Sequence, residues 1–294
     1  MKTCLVTGAK GFIGSHLISS LEDRYKLFAL GGHFTQKKEP PVQWIEQDLA
    51  QTLDRSRLPN RLDAIIHLAQ SRHYREFPEQ ARDIFDVNIH ATFQLLEYAR
   101  EAKVRTFILA SSGGIYGHGD EGFREDEHIS PKDNLGFYLG TKLCGEVLAE
   151  SYTPYMKIII LRFFFVYGSG QSATMLIPRL VKAVREERPI TLNGEEGLKI
   201  NPTYVTDAAS AVFRCLGLTE SQKINIGGPE VLSLRQIGQW IGKILHKDPV
   251  FEVKQDIPCQ HLVGDITKMT HLLGRPIVKF EEGVARYIEG EHEG

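Results

Sequence analysis

Three glycines placed directly after an apolar strand constrain this chain more than any other feature. Residues 3–6 read as a buried strand, Thr7-Gly8-Ala9-Lys10-Gly11-Phe12-Ile13-Gly14 follows at once, and a helical pattern runs from about residue 13 to 21. Glycines at this spacing serve a tight turn, close approach of a pyrophosphate to the backbone, and close packing of helix on strand. Amides at the helix start and the helix macrodipole favour the phosphate charge. A plain glycine-rich turn is the alternative for such a triplet, and the strand–turn–helix setting is what favours a bound dinucleotide.

The rest of the first half repeats that alternation. Strands are expected at 26–30, 42–47, 64–68, 106–110 and 157–163, with a long helix over 81–103 and another over 136–152. In the long helix Ile84, Val87, Ala91, Leu95 and Tyr98 fall near helical spacing. Strands alternating with helices predict an α/β fold of the Rossmann type, a doubly wound parallel sheet covered on its faces. After Gly168 the texture changes to a helix over 175–188, an extended piece at 189–193 and a polar loop at 194–202. A strand at 223–226, the turn Gly227-Gly228-Pro229 and a helix opening near Ser233 follow. The expected organisation is a dinucleotide-binding domain over 1–168, to which 203–227 returns, and a smaller C-terminal substrate-binding lobe over 169–202 and 228–294.

Composition narrows the function classes. A formal net charge of −2 over 294 residues gives no broad basic field, so nucleic acid is not an expected partner. The longest apolar stretches, 158–161 and 163–166, are broken by Arg162 and too short to span a bilayer. The chain enters a strand pattern at its first residues, without a charged leader ahead of an apolar segment. Cys4, Cys144, Cys215 and Cys259 are scattered, which suits neither a disulfide framework nor a zinc site. The eleven histidines show no metal-ligand spacing either. A reducing, cytoplasmic compartment and no metal are the expectations.

Two further motifs carry chemistry. In Tyr138-Leu139-Gly140-Thr141-Lys142 the Tyr and Lys stand four residues apart on a predicted helix, hence on one face. A phenol exchanges protons usefully only if its pKa falls from about 10 toward neutrality, roughly three units or about 4 kcal/mol. A neighbouring ammonium and a positively charged nicotinamide can supply that stabilisation. Alone, such a pair reads as an ordinary surface contact. Ser111-Ser112-Gly113-Gly114-Ile115-Tyr116-Gly117 lies just past the fifth predicted strand, at the sheet edge where open α/β sheets bind ligands. Serines also cap turns there.

Taken together, these motifs resemble the extended short-chain dehydrogenase/reductase family, in its NAD-dependent epimerase/dehydratase branch, over essentially the whole chain. The resemblance includes Asp48-Leu49, His67-Leu68-Ala69, Asn88, Leu161-Arg162, Val166-Tyr167-Gly168, Tyr204-Val205-Thr206-Asp207 and Asn225-Ile226-Gly227-Gly228. It implies that Tyr138 is the acid/base catalyst, that Lys142 holds the nicotinamide ribose, and that Ser112 binds the reacting oxygen. It further implies cofactor contacts from Gly8, Gly11, Phe12, Ile13 and Gly14, from Asp48 and Leu49 near the adenine, and from Leu68, Ala69 and Asn88 along the rest. Helices 81–103 and 136–152 resemble those of the family's dimer interface, which implies a homodimer.

Departures from the family pattern shape the finer expectations. NAD-binding members usually end the second strand with an acid that grips the adenosine ribose; here Leu30 is followed by Gly31-Gly32-His33, with Lys37 and Lys38 nearby. Of NADP and NAD, the missing acid favours NADP. The R-x-x-N-V-Y-G-P of sugar-nucleotide members has Phe165 at the Asn and Ser169 at the Pro, and the Arg before the later Y-V-x-D is Ile200, beside Lys199. The chain thus reads as a sugar epimerase acting by hydride transfer, with a sugar nucleotide as substrate. An NADPH-dependent 4-ketoreductase of a nucleotide-activated deoxysugar is the alternative, and a non-catalytic NADPH-binding regulator is a third reading. A dehydratase is disfavoured because Gly113-Gly114 stands where that branch has an acid pair.

Overall fold

A computed structural model describes residues 1–32, 42–129, 135–255 and 261–290. Its centre is a seven-stranded parallel sheet. Six strands come from the first half: β1 (Lys2–Thr7), β2 (Tyr25–Gly31), β3 (Val42–Glu46), β4 (Ala64–His67), β5 (Thr106–Ser112) and β6 (Lys157–Phe163). A seventh, Gln222–Ile226, joins beside β6, so the order across the sheet is β3-β2-β1-β4-β5-β6 and then the seventh strand. This is the doubly wound order expected from the alternation, with its switch point between β1 and β4. The buried strands read as near-continuous apolar runs because both faces are covered. Leu5, Ile65, Phe107, Ile158 and Ile160 are fully or almost fully buried in one core cluster with Leu95 and Leu96.

The long helix expected over 81–103 is not continuous. It comprises α2 (Ala81–Phe85), a π-helical turn (Asp86–His90) and α3 (Ala91–Glu101). The π turn adds one residue to the helical repeat and turns Asn88 inward, where it is buried. The remaining first-half helices are α1 (Phe12–Leu21), which starts one residue earlier than expected, and α4 (Gly136–Glu150).

Backbone contacts group the chain into two units. The first holds Met1–Ile115, Ser130–Arg162 and Ala209–Ile224; the second holds Tyr116–Ile129, Phe163–Ala208 and Asn225–Gly294. These boundaries differ from those drawn on the sequence, chiefly because Tyr116–Ile129 groups with the later chain. Within the second unit, Tyr116 stacks on Phe123 at 4.9 Å between ring centres and donates to Asn225 Oδ1 at 2.9 Å. The stretch expected as polar loop contains a two-residue strand, Lys199–Ile200, paired antiparallel with Leu232–Ser233. The helix expected near Ser233 runs Leu234–Leu245, with Ser233 and Gln236 forming a reciprocal capping box. Asp207 accepts from the amides of Ile277 and Val278, both at 2.9 Å. No helix among the described residues is long and apolar enough to cross a membrane.

Candidate active site

The glycine turn leaves space for backbone and for nothing more. Gly8 sits at φ +70°, and a Cβ there would lie 2.8 Å from the Ala69 amide nitrogen; on Gly14 it would lie 2.1 Å from the Gly8 carbonyl. Helix α1 begins after Gly11 without a side-chain cap and without an acid in its first turn. Its first amides are therefore open to an external anion. These residues fit a dinucleotide pyrophosphate, because the cradle is one that any side chain would fill.

Behind the turn lies a buried chain of hydrogen bonds whose directions can be worked out. Thr92 donates to the Asn88 carbonyl at 2.7 Å, so its oxygen accepts from His67 Nε2 at 3.0 Å. Nδ1 of His67 then accepts from the Thr7 hydroxyl at 2.6 Å, whose oxygen in turn accepts the Ala69 amide at 3.2 Å. His67 is thus neutral with its proton on Nε2. Burial, with Lys142 adding to it, pushes its pKa down to about 3. Asn88 has its side chain committed to the protein: Oδ1 accepts the Ser71 amide at 2.9 Å, and Nδ2 donates to Thr141 Oγ1 at 2.9 Å. Thr141 donates onward to the Tyr138 carbonyl at 2.7 Å. The network ties the glycine turn, the end of β4, the π turn and α4 into one frame.

Helix α4 carries Tyr138 and Lys142 on one face, as their spacing predicts. Lys142 Nζ lies 5.8 Å from the centre of the Tyr138 ring and donates to the Ala110 carbonyl of β5 at 3.1 Å. Ser112 ends β5 rather than following it, and its hydroxyl accepts the Gly114 amide at 3.1 Å. Leu139 packs on Gly114, its Cδ2 2.9 Å from where a Cβ would stand. Tyr138 donates to Gln70 Oε1 at 2.9 Å and packs against Tyr74 with ring centres 4.9 Å apart. Burial raises the Tyr138 phenol above its ordinary range, Tyr74 adds to that and Arg75 opposes it. Burial lowers Lys142 to about 8, against the pull of Glu146 one turn further on. Glu146 forms a buried ion pair with Arg162 at 2.7 Å, both side chains at most 2% exposed, and Ser111 donates to the same carboxylate.

The remaining residues expected at the cofactor lie after β3, on α1 and after β4. Leu49 is buried in the core cluster, and exposed Asp48 accepts the Ala50 amide at 2.9 Å in a local turn. Phe12 and Ile13 open α1, and Leu68 donates its amide to the Thr7 carbonyl at 3.2 Å. His33, Lys37 and Lys38 lie outside the described residues. Gln70, Ser71, Tyr74, Thr141 and Glu146 were not singled out from sequence. For Glu146 a signal existed, since it follows Lys142 by one helical turn. Gln70 and Tyr74 belong to a loop without periodicity.

Set beside known proteins, residues 4–227 match the NAD dependent epimerase/dehydratase family. The chain is 30% identical to a Bacillus subtilis protein described as an uncharacterized UDP-glucose epimerase, YtcB, over 97% of this chain and 96% of that one. It is 28% identical to the UDP-glucuronate 4-epimerase of Thermodesulfobacterium geofontis, over 98% and 96% of the two chains. Among solved structures it is similar to the UDP-glucuronic acid 4-epimerase of Bacillus cereus in complex with UDP-glucuronic acid and NAD. That likeness has a TM-score of 0.86, 30% identity and 100% coverage of both chains.

Proposed function

The chain belongs to the NAD dependent epimerase/dehydratase family, and from that premise we propose that it epimerises a sugar nucleotide at a hydroxyl carbon by hydride transfer. The observation that carries this reading is the placement of Lys142, which lies over the Tyr138 ring while donating to the carbonyl of Ala110, two residues before Ser112 on β5. When bound, a nicotinamide dinucleotide supplies the hydride acceptor and donor. Tyr138 takes the proton of the sugar hydroxyl as a carbonyl forms and returns it as the alcohol is remade. In the described structure burial disfavours the phenolate and the nearby Arg75 charge opposes that; the ammonium of Lys142, 5.8 Å from the ring centre, is a second positive charge beside the phenol. Ser112 donates to the reacting oxygen and keeps it within reach of Tyr138.

Gly8, Gly11, Phe12, Ile13 and Gly14 would hold the pyrophosphate, Asp48 and Leu49 the adenine side, and Leu68, Ala69 and Lys142 the nicotinamide side. Asn88 acts differently in this reading: with both ends of its amide bonded to protein, it positions the Ser71 loop and α4. The sequence favours NADP through the missing acid after Leu30, whereas the solved relatives carry NAD; we take NAD as the cofactor. Exposed Phe85, Phe93 and Val147, on α2, α3 and α4, support a homodimer formed through these helices. The three free cysteines among the described residues suit a reducing, cytoplasmic compartment.

The test is to denature the purified protein, assay released nicotinamide, and incubate UDP-glucuronic acid and UDP-glucose with the enzyme, with and without added cofactor. An epimerase regains the hydride it removes, so bound cofactor and isomerisation that needs no addition are expected. Enzyme that consumes reduced cofactor in proportion to product is a ketoreductase instead.

A further inference from the structure

We propose that Glu46, at the end of β3, is this chain's ribose-holding acid and makes it selective for a nicotinamide dinucleotide without a 2′-phosphate. The inference rests on reading the glycine turn as a dinucleotide site. In dinucleotide-binding α/β folds an acidic residue beyond the glycine turn accepts from the adenosine ribose hydroxyls. Here β2 ends in Gly31, which has no side chain to offer. The sheet register pairs Gly31 with Glu46 and Ala29 with Trp44. Side chains at paired positions share a face, so Glu46 and Trp44 project on the side to which Gly31 would have projected.

That side is the one on which the glycine turn lies. Lys10 of the turn stands over the Trp44 ring, 5.2 Å from its centre. The opposite side of β2 is committed to the core through Phe28 and Leu30. Glu46 is therefore an acid at the C-terminal edge of the sheet, on the turn's face, one strand out from the usual position. Paired positions on neighbouring strands lie about 4.8 Å apart. Glutamate is one methylene longer than aspartate, and it reaches back across a strand end that bears no side chain. At the neighbouring Gly32, no described residue comes within 4 Å of where a Cβ would stand. A carboxylate there accepts from two ribose hydroxyls and repels a 2′-phosphate.

Calorimetric titration of NAD and NADP into stripped wild-type enzyme, Glu46→Gln and Glu46→Asp tests the assignment. The wild type is expected to bind NAD more tightly than NADP. Losing a hydrogen bond to a charged group costs Glu46→Gln about ten- to a hundredfold in NAD affinity, while NADP binding holds or improves. Adding Gly31→Asp to Glu46→Gln, at an extended strand position, returns NAD affinity. Glu46→Asp keeps the charge but shortens its reach, so it shows a smaller loss and serves if the amide variant does not fold. Unchanged NAD affinity in whichever variant folds, or a wild type that prefers NADP, overturns the role of Glu46 and leaves the dinucleotide site standing. A wild type that binds neither nucleotide overturns the dinucleotide reading itself, and this inference with it.

Discussion

Two polar neighbourhoods of the first unit are built on opposite plans. Around His67 the groups of Thr7, Thr92, Asn88 and Thr141 are each at most 5% exposed and bonded one to the next. Around Tyr138 the neighbours are exposed Gln70 and Arg75 and partly exposed Tyr74, all on one loop, and the phenol donates to Gln70. Buried hydrogen bonds of the first kind are costly to break, because a group left without a partner keeps its full desolvation penalty. Half-exposed ones of the second kind exchange readily for a ligand's. The contrast separates a frame that is settled before a ligand arrives from an edge where Tyr138 can change partners.

The contrast is broken most severely by charging the frame. His67 has a folded pKa of about 3 against an ordinary value of 6.5. A depressed histidine contributes stability that is fully present above pH 6.5 and is lost as pH falls toward 3. The linkage is on the order of 5 kcal/mol. Urea unfolding across that window should therefore show a steep acid loss in wild type that is flattened in His67→Asn. Arg162→Met, which strands the buried Glu146 carboxylate, should cost about 3–5 kcal/mol in the same assay. Adding Glu146→Leu should recover much of it. Asn88→Ala leaves the Ser71 amide without its acceptor and should cost about 1–3 kcal/mol, whereas Gln70→Ala at the open edge should change stability by less than about 0.5 kcal/mol.

A gain in stability sharpens the comparison from the second unit. Phe165 stands at φ +41°, a left-handed backbone that asparagine tolerates better than phenylalanine. Phe165→Asn, which restores the family's residue, should stabilise by about 1 kcal/mol, read as a raised melting temperature.

Much of the frame was legible because it rests on local rules. The glycine turn, the strand edges to within a residue or two, and the capped helix after Ser233 follow from backbone sterics, burial and capping. The π turn was not legible: one inserted residue barely disturbs a helical pattern, and its effect appears only where Asn88 meets Ser71 and Thr141. The Lys199–Ile200 strand is too short to show a period. Gln70 and Tyr74 reach Tyr138 across 68 and 64 positions of chain, a distance over which no spacing rule operates.

The central claim is that Tyr138 moves the proton on a frame that exists without it. The most direct measurement is isomerisation of the sugar nucleotide that the wild type accepts, by wild type and Tyr138→Phe, with dinucleotide affinity and melting temperature taken on the same preparations. The account predicts that turnover falls at least about a hundredfold while affinity and melting temperature stay near wild type. Turnover within a few-fold of wild type in a folded, cofactor-bound Tyr138→Phe enzyme would contradict it.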